Sequence, residues 1–80
     1  MKVKVKFFAL GKELVGKSEI EMDFPESSTV QTLVDRLKND FAKLRELNSF
    51  LVAVNMEYSE MKTLLNDGDE VAIIPPVSGG

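Results

Sequence analysis

Residues 2–8 alternate with the two-residue period of a half-buried β-strand. Val3, Val5 and Phe7 fall on one face, and Lys2, Lys4 and Lys6 on the other. Residues 18–24 repeat the pattern with the charge reversed, setting Ile20, Met22 and Phe24 against Glu19, Glu21 and Asp23. Opposite charges on neighbouring strands stabilise the pair by roughly 0.2–1 kcal/mol each, and like charges repel. The two segments are therefore predicted to pair as an antiparallel hairpin. Its connection, residues 9–17, is long for a hairpin, and Lys12-Glu13-Leu14-Val15 between Gly11 and Gly16 suits a short helical turn.

Phe24-Pro25 ends the second strand, because the residue before a proline is held extended. Ser28 or Thr29 then caps a helix, with Gln31 placed to complete a capping box if Ser28 is the cap. Val30, Leu33, Val34, Leu37 and Phe41 form one apolar stripe, opposite Gln31, Asp35, Arg36, Lys38 and Asn39. Residues 40–48 are polar, with Leu44 and Leu47 as plugs at the core edge. The apolar run 50–54 fits a strand covered on both faces or lying at a sheet centre. A short strand or a turn follows at 57–61. Asn66-Asp67-Gly68-Asp69 reads as a turn and 70–74 as the last strand, ended by Pro75. This order predicts an α+β fold with a mixed sheet of four to five strands, covered on one face by a helix. The hairpin followed by a right-handed crossover favours a β-grasp, with first and last strands parallel and adjacent at the centre.

An 80-residue chain, 44% hydrophobic and 29% charged, has the make-up of a soluble globular protein with one modest core. The expected organisation is a domain over residues 1–74 and an extended tail over 75–80. No apolar run approaches the ~20 residues of a membrane span, and the Lys/Val alternation at the N-terminus does not resemble a secretory signal. The expected location is cytoplasmic, with no membrane partner. A formal charge of −3 argues against nucleic acid as a partner. Cysteine and histidine are both absent, which removes disulfides, thiolate nucleophiles, imidazole chemistry and the common zinc and iron ligand sets. Glu57, Glu60, Asp67, Asp69 and Glu70 have no base, nucleophile or ligand companion, so they are read as surface and turn residues. Met56 and Met61 are read as packing residues. No metal or bound cofactor is expected.

Two features remain that point to chemistry. Phe8 falls on the lysine face of its strand, and Ala72 and Ile74 fall opposite Val71 and Ile73. If Val71 and Ile73 face the helix, then Phe8, Ala72 and Ile74 form an exposed apolar patch on adjacent strands, suited to docking a partner. Local burial at twisted strand ends is the competing reading. The second feature is the run Pro75-Pro76-Val77-Ser78-Gly79-Gly80. Prolines hold a segment extended at ~3.1 Å per residue, which projects its end roughly 19 Å. Glycines without a Cβ thread a channel too narrow for other residues. Such a tail delivers its carboxylate, which as an acyl-adenylate is open to attack by an amine, a thiol or a sulfur donor. If the chain handles sulfur, it has no cysteine to carry a persulfide, and the Gly80 carboxylate is then the expected attachment point. A frayed end is the bland alternative.

These residues resemble the small, sulfur-carrier subunit of molybdopterin synthase. The resemblance rests on Val5-Lys6-Phe7-Phe8-Ala9, Glu13-Leu14-Val15-Gly16, Phe24-Pro25, Thr29-Val30 and Val52-Ala53-Val54-Asn55. Above all it rests on Asp67-Gly68-Asp69-Glu70-Val71-Ala72 running into Pro75-Pro76-Val77-Ser78-Gly79-Gly80. It spans the whole chain. Ile73-Ile74 departs from it, because aromatics are frequent at that point of the family. The resemblance implies a ubiquitin-like β-grasp and no enzyme activity of the isolated chain. It further implies that an ATP-dependent activating enzyme adenylates Gly80, that a sulfur donor converts the adenylate to a thiocarboxylate, and that residues 75–79 thread the tail into the large synthase subunit. Sulfur then passes to a cyclic pyranopterin monophosphate. ATP belongs to the activating enzyme, and the implied assembly is a heterotetramer of two small and two large subunits.

Three other readings stay open. One is the sulfur carrier of thiazole (thiamine) synthesis, whose tail does not usually read Pro-Pro-Val. Another is a protein modifier that forms isopeptide bonds, although the basic residues that precede Gly-Gly in ubiquitin are missing here. The last is a β-grasp interaction module in which Gly-Gly is incidental.

Overall fold

The computed structural model describes residues 1–76; Val77, Ser78, Gly79 and Gly80, where the threading and carboxylate expectations fall, lie outside the described residues. Five strands form one mixed sheet: β1 (Lys2–Phe7), β2 (Glu19–Asp23), β3 (Leu51–Val54), β4 (Glu57–Tyr58) and β5 (Glu70–Ile74), in the order β2-β1-β5-β3-β4. β5 lies at the centre and runs parallel to β1, while the β1–β2, β3–β5 and β3–β4 pairs are antiparallel. Helix α1 (Ala9–Val15) links β1 to β2. Helix α2 (Val30–Asp40) and a 3₁₀ turn (Ala42–Glu46) link β2 to β3.

The alternation in β1 and β2 sets the register of the hairpin. Lys4 lies opposite Glu21 and Lys6 opposite Glu19. Strand twist shifts the ion pairs onto diagonals, Lys2 to Glu21 at 3.8 Å and Lys4 to Glu19 at 3.7 Å, while Lys6 turns across to Glu70 of β5 at 3.1 Å. The first two are exposed and the Lys6–Glu70 pair is half-buried but open to solvent, so each adds at most about 1 kcal/mol; their main effect is on register.

On the opposite face Val3, Val5, Phe7, Val52, Val71 and Ile73 pack against Val30, Leu33, Val34 and Leu37 of α2. Phe41 closes the stripe half-buried as the helix C-cap and meets Phe7 edge-on, with centroids 6.3 Å apart. Leu44 and Leu47 are buried plugs. The cap of α2 is Thr29, whose hydroxyl accepts from the Thr32 amide at 3.3 Å, while the Ser28 hydroxyl donates to the Pro25 carbonyl. Gln31 forms no capping box; its side chain donates to Asp35. The reason is a strap from the loop before β5. The Thr63 carbonyl accepts from the Val30 amide and the Met61 carbonyl from the Gln31 amide, both at 2.9 Å, so the first-turn donors are satisfied by backbone.

Two expectations need correction. The run 50–54 is not covered on both faces throughout, because Leu51 is 56% exposed. β3 lies between β5 and the two-residue β4, so the sheet nearly ends there. Nor does Met56 pack: it is 95% exposed at the tip of the β3–β4 hairpin, and Met61 is exposed as well. Asn55 and Met56 have φ of 51° and 71°, the paired positive values of a type I′ turn. That turn points its second residue into solvent whatever the side chain.

Candidate functional site

The outer face of the sheet divides into two halves. β1 and β2 carry the lysine and carboxylate ladder. β5, β3 and β4 carry an apolar half, and the register explains why it is continuous. Ala72 lies between Lys6 and Ala53, Ile74 lies opposite Leu51, and Tyr58 lies opposite Ala53. Ala53 is buried although it points outward, its short side chain flanked by Ala72 and Tyr58 on the neighbouring strands. A shallow depression is lined by Lys6, Phe8, Ala53, Met56, Tyr58, Glu70, Ala72 and Ile74.

Phe8, Ala72 and Ile74 are thus brought together on the solvent side, with Phe8 48% exposed and the other two half-buried. Phe8 is no longer part of β1. It is the extended N-cap of α1, and its side chain supplies no capping hydrogen bond. An aromatic at a position that favours Ser, Asp or Asn forgoes a local stabilisation, as surface residues shaped by binding often do. Leu51 and Tyr58, which the sequence did not single out, extend the patch together with Met56, which the sequence placed among the packing residues. Leu51 was hidden inside an apolar run. Met56 and Tyr58 were hidden because their strand partners are set by pairing rather than by local pattern.

The strand that carries the patch is also the one that leads to the tail. A buried polar cluster fixes its start. Asp69 is nearly excluded from solvent, and its carboxylate accepts from the Asn55 side-chain amide at 2.9 Å and the Asn66 amide at 2.7 Å. Asn55 in turn accepts from the Glu70 amide at 3.0 Å. Asp67 accepts from the Lys2 amide at 2.7 Å, and Gly68, with φ of 84°, completes the turn and donates to the Lys2 carbonyl. Asp67 and Asp69 therefore act as turn formers, and Asp69 is buried rather than a solvated surface carboxylate. At the far end of β5, Pro75 is buried and Pro76 is exposed. Both line a groove of about 530 Å³ with Ala9, Leu10, Leu47 and the polar residues Glu46, Asn48 and Ser49.

Among the described residues, no group of carboxylates is placed to hold a metal ion, and no helix is long and apolar enough to cross a membrane. What the surface offers is an apolar face at the root of the C-terminal segment.

The ThiS family model matches residues 5–80 of this chain. The chain belongs to the ThiS family. Within it, the molybdopterin synthase sulfur carrier subunit of Dictyostelium discoideum is 42% identical over 81 residues, covering 96% of this chain and 94% of its own. That of Arabidopsis thaliana is 40% identical over 81 residues, covering 100% and 84%. Solved structures share the fold, a ubiquitin-like β-grasp. SAMP1 of Haloferax volcanii, a small archaeal modifier protein, superposes with a TM-score of 0.91 at 27% identity over 100% of both chains. A complex of subunits 1 and 2 of the molybdopterin-converting factor of Helicobacter pylori contains a chain matching with a TM-score of 0.74 at 27% identity, again over 100% of both. This ThiS-family chain therefore pairs the β-grasp with the apolar half-face and proline-rooted C-terminal segment described above.

Proposed function

We propose that this ThiS-family chain is the sulfur-carrying small subunit of a molybdopterin synthase, with Gly80 as the reacting residue and no catalytic activity of its own. The observation that carries the reading is the convergence of an apolar sheet face, centred on Phe8, Ala72 and Ile74, on the strand that continues through Pro75-Pro76 to Gly79-Gly80. Relatives named as sulfur carrier subunits, and a neighbour whose solved structure is a complex of subunits 1 and 2, support it.

The Gly80 carboxylate attacks the α-phosphorus of ATP on an activating enzyme, and pyrophosphate leaves. A donor at the oxidation level of hydrosulfide then displaces AMP, forming a C–S bond and leaving a thiocarboxylate. In the large subunit that sulfur attacks an oxygen-bearing carbon of a cyclic pyranopterin monophosphate, forming a C–S bond as the C–O bond breaks and the oxygen leaves as phosphate or water. Hydrolysis of the resulting thioester leaves sulfur on the product and returns Gly80 as a carboxylate. A thiocarboxylate is a good nucleophile in neutral water, so the carrier needs no acid or base of its own, consistent with a chain that has neither cysteine nor histidine. Binding of the precursor and the proton transfers fall to the large subunit, in a heterotetramer of two small and two large chains, acting in the cytoplasm.

The test is reconstitution. Thiocarboxylated chain with precursor alone should give no dithiolene. Adding the large subunit should give it, with two carriers consumed per product. Product from the charged carrier alone, above the solution background, would contradict this division of labour.

One observation favours a second reading. The fold match to SAMP1, a modifier protein, extends over both whole chains. The same activated Gly80 attacked by a lysine amine would give an isopeptide, and Gly-Gly remnants on lysines of other proteins would mark it.

A further inference from the structure

Three observations meet where the chain leaves the sheet. Ala9, the first residue of α1, has a φ of 49°, a left-handed conformation that an L-residue keeps only where its surroundings hold it there. Two residues on, Gly11 is the buried residue of α1, and a Cβ at Gly11 would lie 3.9 Å from Pro75 Cγ. Pro75 is itself buried, whereas Pro76 is exposed. The left-handed turn at Ala9 swings the chain from the end of β1 into α1, and that swing presents the bare side of Gly11 to the proline ring. Buried Leu47 lines the adjoining groove with Ala9, Leu10 and both prolines.

We infer that Ala9, Gly11 and Pro75 are positioning residues that set the direction in which the tail leaves the domain. This rests on the reading that Gly80 carries the reacting group. A tail held by a stiff pair of prolines turns a small rotation at its root into a large displacement at its tip. Misplacement of a reacting group by ~1 Å costs up to roughly a hundredfold in rate. The Phe8 face then governs whether the partner binds, and the close approach of Pro75 to the bare side of Gly11 governs where the carboxylate is delivered.

The contact distance sets the test. At 3.9 Å a methyl group fits in ordinary van der Waals contact, so Gly11→Ala should behave as wild type. The larger side chain of Gly11→Leu must displace the ring, and Pro75→Gly removes the ring without touching α1. Chains bearing a chemically installed C-terminal thiocarboxylate, which bypasses activation, are mixed with large subunit and precursor. Single-turnover rate, calorimetric affinity for the large subunit and the nuclear Overhauser contact between Gly11 Hα and Pro75 Hγ are then measured. Gly11→Leu and Pro75→Gly should each slow transfer about tenfold or more with affinity within about threefold of wild type. Wild type should show the Gly11–Pro75 contact. If Gly11→Leu fails to fold, Pro75→Gly alone decides. Transfer by both variants at the wild-type rate, or loss of affinity in place of rate, overturns the positioning role. No transfer from the wild-type chain overturns sulfur carriage itself, a different result.

Discussion

Replacing Phe8 by aspartate separates docking from folding more cleanly than any other single change, because the two effects have opposite signs. A buried aromatic contributes about 150–250 Å² of contact, and Phe8 leaves 48% of its surface available. Covering that remainder by a partner removes about 70–120 Å² of apolar surface from water. At about 25 cal/mol per Å² this amounts to about 2–3 kcal/mol. Loss of the side chain should therefore weaken binding of the large subunit roughly 30- to 150-fold, and an aspartate trapped in the same contact can only add to that.

Stability should respond differently. Phe8 occupies the N-cap of α1 in an extended conformation without a side-chain cap, a position where aspartate contributes about 0.5–1 kcal/mol. That gain offsets the half-buried ring contacts that are lost, so the melting temperature should stay within about 5 °C of wild type. Isothermal titration against the large subunit, beside a thermal melt of the free chain, reads both quantities. A melting temperature lowered by more than about 10 °C with unchanged affinity would return Phe8 to the core and refute the docking argument.

Other changes have equally definite outcomes. Met56→Gly relieves a left-handed, fully solvated side chain in the type I′ turn and should raise stability by about 1 kcal/mol in urea denaturation; a loss would show that Met56 makes contacts the turn geometry denies it. Asp69→Ala strips the carboxylate from the Asn55 and Asn66 donors and should cost about 3 kcal/mol, whereas a loss below about 1 kcal/mol would mean that water replaces it freely. If the tail threads a narrow channel as proposed, Gly79→Ala should leave the urea midpoint unchanged while its added Cβ slows transfer within the synthase; wild-type kinetics would remove the threading argument. Deleting Gly80 should abolish sulfur loading with folding intact, and full synthase activity without it would refute the carrier assignment.

Much of this fold could be read from the sequence because its strongest patterns are local. The Lys/Glu alternation of β1 and β2, the stripe from Val30 to Leu37 and the breaks at Pro25 and Pro75 each follow from two- or four-residue neighbours. The tight turn at Gly68 and the final strand Glu70–Ile74 were legible for the same reason. What escaped depends on partners distant in sequence. Thr29 caps α2 without a capping box because backbone from residues 61–63 meets the first-turn amides. Leu51 looked like core until the pairing with Ile74 placed it on the outer face. The site was half legible: alternation exposed Phe8, Ala72 and Ile74, but the hairpin that adds Met56 and Tyr58, and the approach of Pro75 to Gly11, exist only once the sheet is assembled.

The central claim is that Gly80 carries sulfur. It is tested most directly by the mass of the C-terminal fragment, from chain incubated with activating enzyme, ATP and a sulfur donor. Replacement of one carboxylate oxygen by sulfur should raise that fragment's mass by the difference between the two atoms. Tandem fragmentation should place the change on Gly80, and omission of ATP should abolish it. An unmodified C-terminus under full loading conditions, or sulfur found on any other residue, would contradict the account.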